Sequence, residues 1–179
     1  MRHAMDRFYG LGGALAALQL LIIMLMIVIQ VLGRIIDNTL LMLHQPPWGL
    51  NVPGLAEIAG FLLLGASFFG LAYTFRAGAH IRVTLIIQHL PRAFRQVMEA
   101  LMILLALGIT LYAAWNGAWL AYDSYDFGDV SIGMVPVPLW IPQSAMSAGL
   151  LWLAIALVDT LFEVLKGNFA TLNHSEVQE

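Results

Sequence analysis

The sequence predicts an all-α integral membrane protein with four transmembrane helices. Three features carry the prediction: 60% of the 179 residues are hydrophobic, only 11% are charged, and the charges bound four long uncharged stretches. A soluble domain carries roughly 25% charged residues, so lipid must solvate most of this chain. The uncharged stretches are Phe8 to Gly33 (26 residues), Ile58 to Phe75 (18), Ala100 to Tyr122 (23) and Val130 to Val158 (29). A spanning helix needs about 20 apolar residues, and unpaired backbone cannot sit in hydrocarbon, so each stretch reads as a helix. The expected helices are at about 9–33, 57–76, 97–122 and 138–160, followed by a tail at 166–179, in a single membrane domain over 1–179.

The first helix reads as a retained anchor. Arg2 and Arg7 resemble the basic start of a signal peptide, but the apolar run far exceeds the roughly 7 to 15 residues of a signal h-region. Helix 1 leads into His44-Gln45-Pro46-Pro47-Trp48-Gly49, which is turn chemistry. Leu40 to Leu43 and Trp48 are expected to lie at the outer interface. Between helices 2 and 3, Val83, Ile86, Ile87 and Leu90 share a helical face away from Arg82, Gln88 and His89, which predicts a short interfacial amphipathic helix. Pro91 suits the first position of helix 3. A helix from Pro91 to Tyr122 would span about 48 Å and must tilt or protrude. Pro138 and Pro142 fit the start of helix 4, where a missing N–H costs little, and Trp140 fits an aromatic belt.

Orientation follows from the basic residues. Arg2, Arg7, Arg76, Arg82, Arg92, Arg95 and Lys166 fall on one side of a four-helix path, and only Arg34 on the other. The positive-inside rule then puts both termini in the cytoplasm. Asp123, Asp126 and Asp129 lie on the opposite side, as a solvated loop that sets topology or as a docking surface for an external protein. Their spacing lacks the Gly-punctuated pattern of a calcium loop, so no metal site is expected.

Between the bounding charges there is no Asp, Glu, Lys, Arg or His. Proton relays and coupling sites are built from such groups, so a self-sufficient proton-coupled carrier is not expected. All five histidines lie outside the stretches, which argues against haem, and the absence of cysteine removes disulfides and thiolate chemistry. No cofactor, catalytic residue or nucleic-acid contact is expected. The polar residues within the spans are Gln19, Gln30, Ser67, Thr74, Thr110, Asn116, Gln143 and Ser144; they read as helix-to-helix hydrogen bonding, with a substrate path as the alternative. Small residues recur four apart at Gly12/Ala16, Gly13/Ala17, Ala66/Gly70, Ala113/Gly117 and Ala145/Gly149, spacing that allows close helix approach.

Two motifs resemble one family. The first is Gly65-Ala66, then Arg76-Ala77-Gly78-Ala79-His80-Ile81-Arg82-Val83, then Leu90-Pro91 and Arg95. The second is Gly128-Asp129-Val130-Ser131, followed by Pro138-Leu139-Trp140-Ile141-Pro142-Gln143. In order, and over nearly the whole chain, they resemble the small membrane subunit of TRAP transporters (tripartite ATP-independent periplasmic transporters), the DctQ family. The sequence departs from many members in having Ala56-Glu57 in place of paired acids, and Thr84 in place of an acid.

The resemblance implies a non-catalytic scaffold in a bacterial inner membrane. It would pair with a large membrane subunit of about 12 helices that carries the substrate and sodium sites, while a periplasmic binding protein delivers the solute, often a carboxylate. The implied partner or lipid interface comprises Arg76, Gly78, His80, Arg82, Asp129, Trp140, Pro142 and Gln143. For the basic residues, anchoring to anionic lipid and contact with the large subunit both stand; for the outer segment, so does docking of the binding protein. The rival readings are a structural subunit of another complex and a small homo-oligomeric carrier or channel.

Overall fold

A computed structural model describes residues 2–76 and 92–166. The described residues form four helices: α1 (Arg2–Met42), α2 (Leu55–Arg76), α3 (Arg92–Asp126) and α4 (Trp140–Leu165). Each is long and apolar enough to cross a membrane. The expected amphipathic helix, with Gly78, His80, Arg82 and Pro91, lies outside the described residues.

Each helix extends past its expected bounds at one end or both, although α4 begins two residues later than expected. α1 continues through Arg34 and Asp37 for 41 residues, or about 61 Å, twice the hydrocarbon thickness. A charge ends the apolar environment but not the helix, and nothing from Arg34 to Met42 breaks helical backbone. Leu40 to Met42 therefore form the last turn of α1. The helix stops where His44 adopts a left-handed φ of 58°. There the Gln45 N–H reaches the Leu40 carbonyl (2.9 Å) and the His44 N–H reaches that of Leu41 (3.1 Å). These paired bonds satisfy carbonyls that the helix end leaves open.

The chain then folds back along α1. Asp37 Oδ1 accepts the backbone N–H of Trp48 (2.8 Å) and Gly49 (3.2 Å). Deeper in, Gln30 donates to Asn51 Oδ1 and accepts the Val52 N–H (2.7 Å). Gly33 leaves the room for this passage, since a side chain there would collide with the Leu50 carbonyl.

The four helices stand in the order α1, α2, α4, α3, with a minor contact between α1 and α4. α4 is the most enclosed and α1 the least. At one end Tyr9, Ala72 and Ala156 are buried together, bordered by Phe8, Phe75 and Trp152. The Phe8 ring stacks on the Trp152 indole at 4.3 Å.

Several of the small residues sit at contacts. A methyl group at Gly12 would lie 2.9 Å from the Phe69 carbonyl oxygen, and one at Gly13 would lie 2.9 Å from the Tyr73 ring. Gly70 faces Ala16, Gly117 faces Ser147, and Gly149 lies against the Phe68 backbone. Five of the eight polar residues depart from expectation. Ser67, Thr74, Thr110, Asn116 and Ser144 bond back to carbonyls three or four residues earlier in their own helix. A carbonyl of the preceding turn is always within a short side chain's reach, so the local partner wins.

Candidate functional site

The second motif builds one compact structure at the end of the bundle where α3 hands over to α4. α3 closes on Gly128, whose φ of 67° is available to glycine without strain. The Asp129 N–H bonds the Ser124 carbonyl (2.9 Å) and the Gly128 N–H that of Tyr125 (3.3 Å). The Gly128-Asp129 pair is thus a helix-terminating Schellman turn.

Beyond it the loop closes on itself. Val130 pairs antiparallel with Pro138, the Leu139 N–H bonds the Asp129 carbonyl (3.0 Å), and the Ser131 N–H bonds that of Val137 (2.9 Å). The Ser131 hydroxyl accepts the Val137 N–H (3.0 Å) and is buried, so it serves as an internal clasp. The loop tip reaches across to α2: Gly133 lies against the Glu57 carboxylate, and Val135 against Gly54. The short side of Gly133 is required there, because a side chain would overlap that carboxylate.

α4 starts at Trp140, with Pro142 buried in its first turn, where no helical N–H is lost. Gln143 ties the two helices. With its amide oriented by the surrounding groups, Nε2 donates to the Leu120 carbonyl (3.1 Å) and Oε1 accepts from the buried Ser124 hydroxyl (3.1 Å). At the far end Gln96 Nε2 donates to the Val164 carbonyl (2.9 Å), so α3 and α4 are linked near both ends. Trp140 remains 38% exposed and sets its indole edge-on to Tyr125 at 5.8 Å.

Four sequence-selected residues, Asp129, Trp140, Pro142 and Gln143, thus come together at this end. Pro142 and Gln143 serve the helix junction, whereas Asp129 and Trp140 present side chains outward. Arg76 closes α2 at the opposite end, so the two motifs form separate sites. Gly78, His80 and Arg82 lie outside the described residues. Asp123, Asp126 and Asp129 are all exposed, and no three His, Cys, Asp or Glu residues converge to hold a metal ion among the described residues.

The motifs missed the outward face of α3. Tyr112, Trp115, Trp119 and Tyr122 are 72%, 65%, 52% and 60% exposed, on the side away from α4. Their spacing of three, four and three residues places them on one helical stripe, a signal the sequence carries plainly.

A comparison with curated proteins finds no match. The family model for the DctQ component of tripartite ATP-independent periplasmic transporters matches residues 23–167. That span takes in α2, α3, α4 and the second half of α1, together with the junction described above. The chain therefore belongs to the DctQ family, the small, non-catalytic, multi-pass membrane subunit of TRAP transporters.

Proposed function

We propose that this subunit is the static scaffold of a sodium-coupled importer, holding the large membrane subunit at a fixed depth while the large subunit moves solute. The solute is a small carboxylate delivered by a periplasmic binding protein. Both termini lie in the cytoplasm, a placement that the asymmetry of Lys and Arg supports, in a Gram-negative cell.

One observation carries the reading. Between their bounding charges the four spans hold no Asp, Glu, Lys, Arg or His, and coupling sites of known design need charged groups or broken helices at mid-membrane. The four helices run unbroken. A stiff apolar wall suits bracing and does not suit ion coupling. The Asp129 and Trp140 side chains, exposed at the outer end, are the surface offered to the binding protein. Arg76, Gly78, His80 and Arg82 serve the opposite, cytoplasmic headgroup level, where a basic residue near anionic lipid contributes about 1 kcal/mol.

Reconstitution in liposomes under a sodium gradient, with the cognate binding protein and solute, tests this. This chain alone should give no uptake, the large subunit alone little, and both together a clear signal. Uptake by this chain alone would overturn the scaffold reading.

A further inference from the structure

We propose that the outward face of α3 is the surface on which the large membrane subunit docks. The inference rests on the reading of this chain as the small subunit of a two-part membrane assembly, and it names the face. α3 lies at one edge of the row and packs chiefly on α4. Its inward side is Thr110, Ala114, Gly117 and Ser124, all buried. The opposite side carries Tyr112, Trp115, Asn116 and Trp119, all exposed.

Depth decides what covers them. The uncharged stretch of α3 runs from Ala100 to Tyr122, with its midpoint beside Tyr112. At 1.5 Å per residue, Trp115 and Asn116 lie only about 6 to 8 Å from that midpoint. Tyr122 and Trp119 stand close enough to the boundary for an aromatic belt at the headgroups. Tyr112, Trp115 and Asn116 lie well inside a core about 30 Å thick, where lipid tails offer no hydrogen bond.

Their polar atoms are not used within the chain. Asn116 Nδ2 bonds the Tyr112 carbonyl (2.8 Å), but Asn116 Oδ1, the Tyr112 hydroxyl and the Trp115 indole N–H have no partner among the described residues. An acceptor amide oxygen, a hydroxyl and an indole donor thus stand side by side, facing out at mid-membrane. The matching surface must supply both donors and acceptors at that depth, which protein does and hydrocarbon does not. The rings also leave an open groove of about 350 Å³ lined by Trp115, Ala118, Trp119 and Tyr122, room for side chains of a facing helix. In a tripartite transporter the protein beside this chain in the bilayer is the large subunit.

The test is photocrosslinking in membranes containing both full-length subunits. A benzophenone amino acid is placed at Tyr112, Trp115 or Trp119, and for comparison at Leu18, Leu21 or Leu25 on the exposed back of α1. The α3 positions should give adducts with the large subunit, and the α1 positions none. Separately, Tyr112→Phe with Asn116→Leu should lower co-purified large subunit about fivefold or more, since two mid-membrane hydrogen-bonding groups are lost. Leu21→Phe should leave it unchanged. If the subunits co-purify but α3 gives no adduct, an adduct between two copies of this chain, or less than α1 gives, the docking face is wrong. If they do not co-purify at all, the small-subunit reading fails and this inference with it.

Discussion

The two helices at the edges of the row, α1 and α3, solve the same problem on their inner sides and differ on their outer ones. α1 approaches α2 through Gly12, Gly13 and Ala16, so closely that a methyl group at Gly12 would press on the Phe69 carbonyl. α3 meets α4 through Ala114 and Gly117, reinforced by the amides of Gln96 and Gln143. On its back α1 shows Leu18, Leu21, Leu25, Val28 and Leu32, side chains with no polar atom. On its back α3 shows Tyr112, Trp115, Asn116 and Trp119. An exposed apolar residue means little in a membrane protein, because lipid tails are as apolar as leucine. An exposed polar group at mid-depth is informative, because it asks for a partner that lipid cannot be. By that criterion α1 faces hydrocarbon and α3 faces protein.

The largest effect should come from the inner side of α1. Gly12→Val places its new carbons against the Phe69 carbonyl and the Trp152 indole, and should destabilise the isolated chain by about 2–3 kcal/mol, read as thermal unfolding in detergent. Gly10→Val, two residues away with nothing within 4 Å, should change stability by less than about 0.5 kcal/mol. Equal stability of the two variants would mean that α1 does not dock through its glycines. On α4, Gln143→Leu removes the amide that ties that helix to Leu120 and Ser124 of α3, and should cost about 1 kcal/mol in the same assay. A loss below about 0.3 kcal/mol would leave that junction held by packing alone.

Hydropathy made the spans legible, but not the ends of the helices. Charge bounds the uncharged stretches, but the helices run past Arg34, Asp37 and Asp123 to Met42 and Asp126. The real stops are backbone events: a left-handed His44 ahead of Pro46-Pro47, and Gly128. The glycine reads as a stop by itself, whereas the histidine reads as one only through the turn chemistry of His44 to Gly49. Motif resemblance drew attention to Asp129, Trp140, Pro142 and Gln143, which the fold does bring together. It was silent on Gly133 against Glu57, a contact between residues 76 positions apart with no local signature. The expected hydrogen bonds between helices were realised by Gln143, which meets Ser124, and not by Ser67, Thr74, Thr110 or Ser144. A long amide reaches a neighbouring helix, whereas a short hydroxyl finds its own carbonyl first.

The smallest expected effect lies on the back of α3. If the back of α3 is built for another protein, its polar groups do no work inside this chain, and removing them must leave the isolated subunit as stable as before. Asn116 gives one N–H to the Tyr112 carbonyl, but that carbonyl already belongs to the helical ladder, so losing the side-chain bond exposes nothing new. The Tyr112 hydroxyl has no partner among the described residues to lose. Tyr112→Phe with Asn116→Leu should therefore shift stability by no more than about 0.5 kcal/mol, or a melting shift of roughly 1–2 °C for a chain of this size. The same pair should weaken retention of the large subunit. Fold and assembly would then be separable on one helix face. A loss of 1 kcal/mol or more in the isolated chain would show that these side chains support its own structure. The contrast between the backs of α1 and α3 would then describe folding rather than partnership.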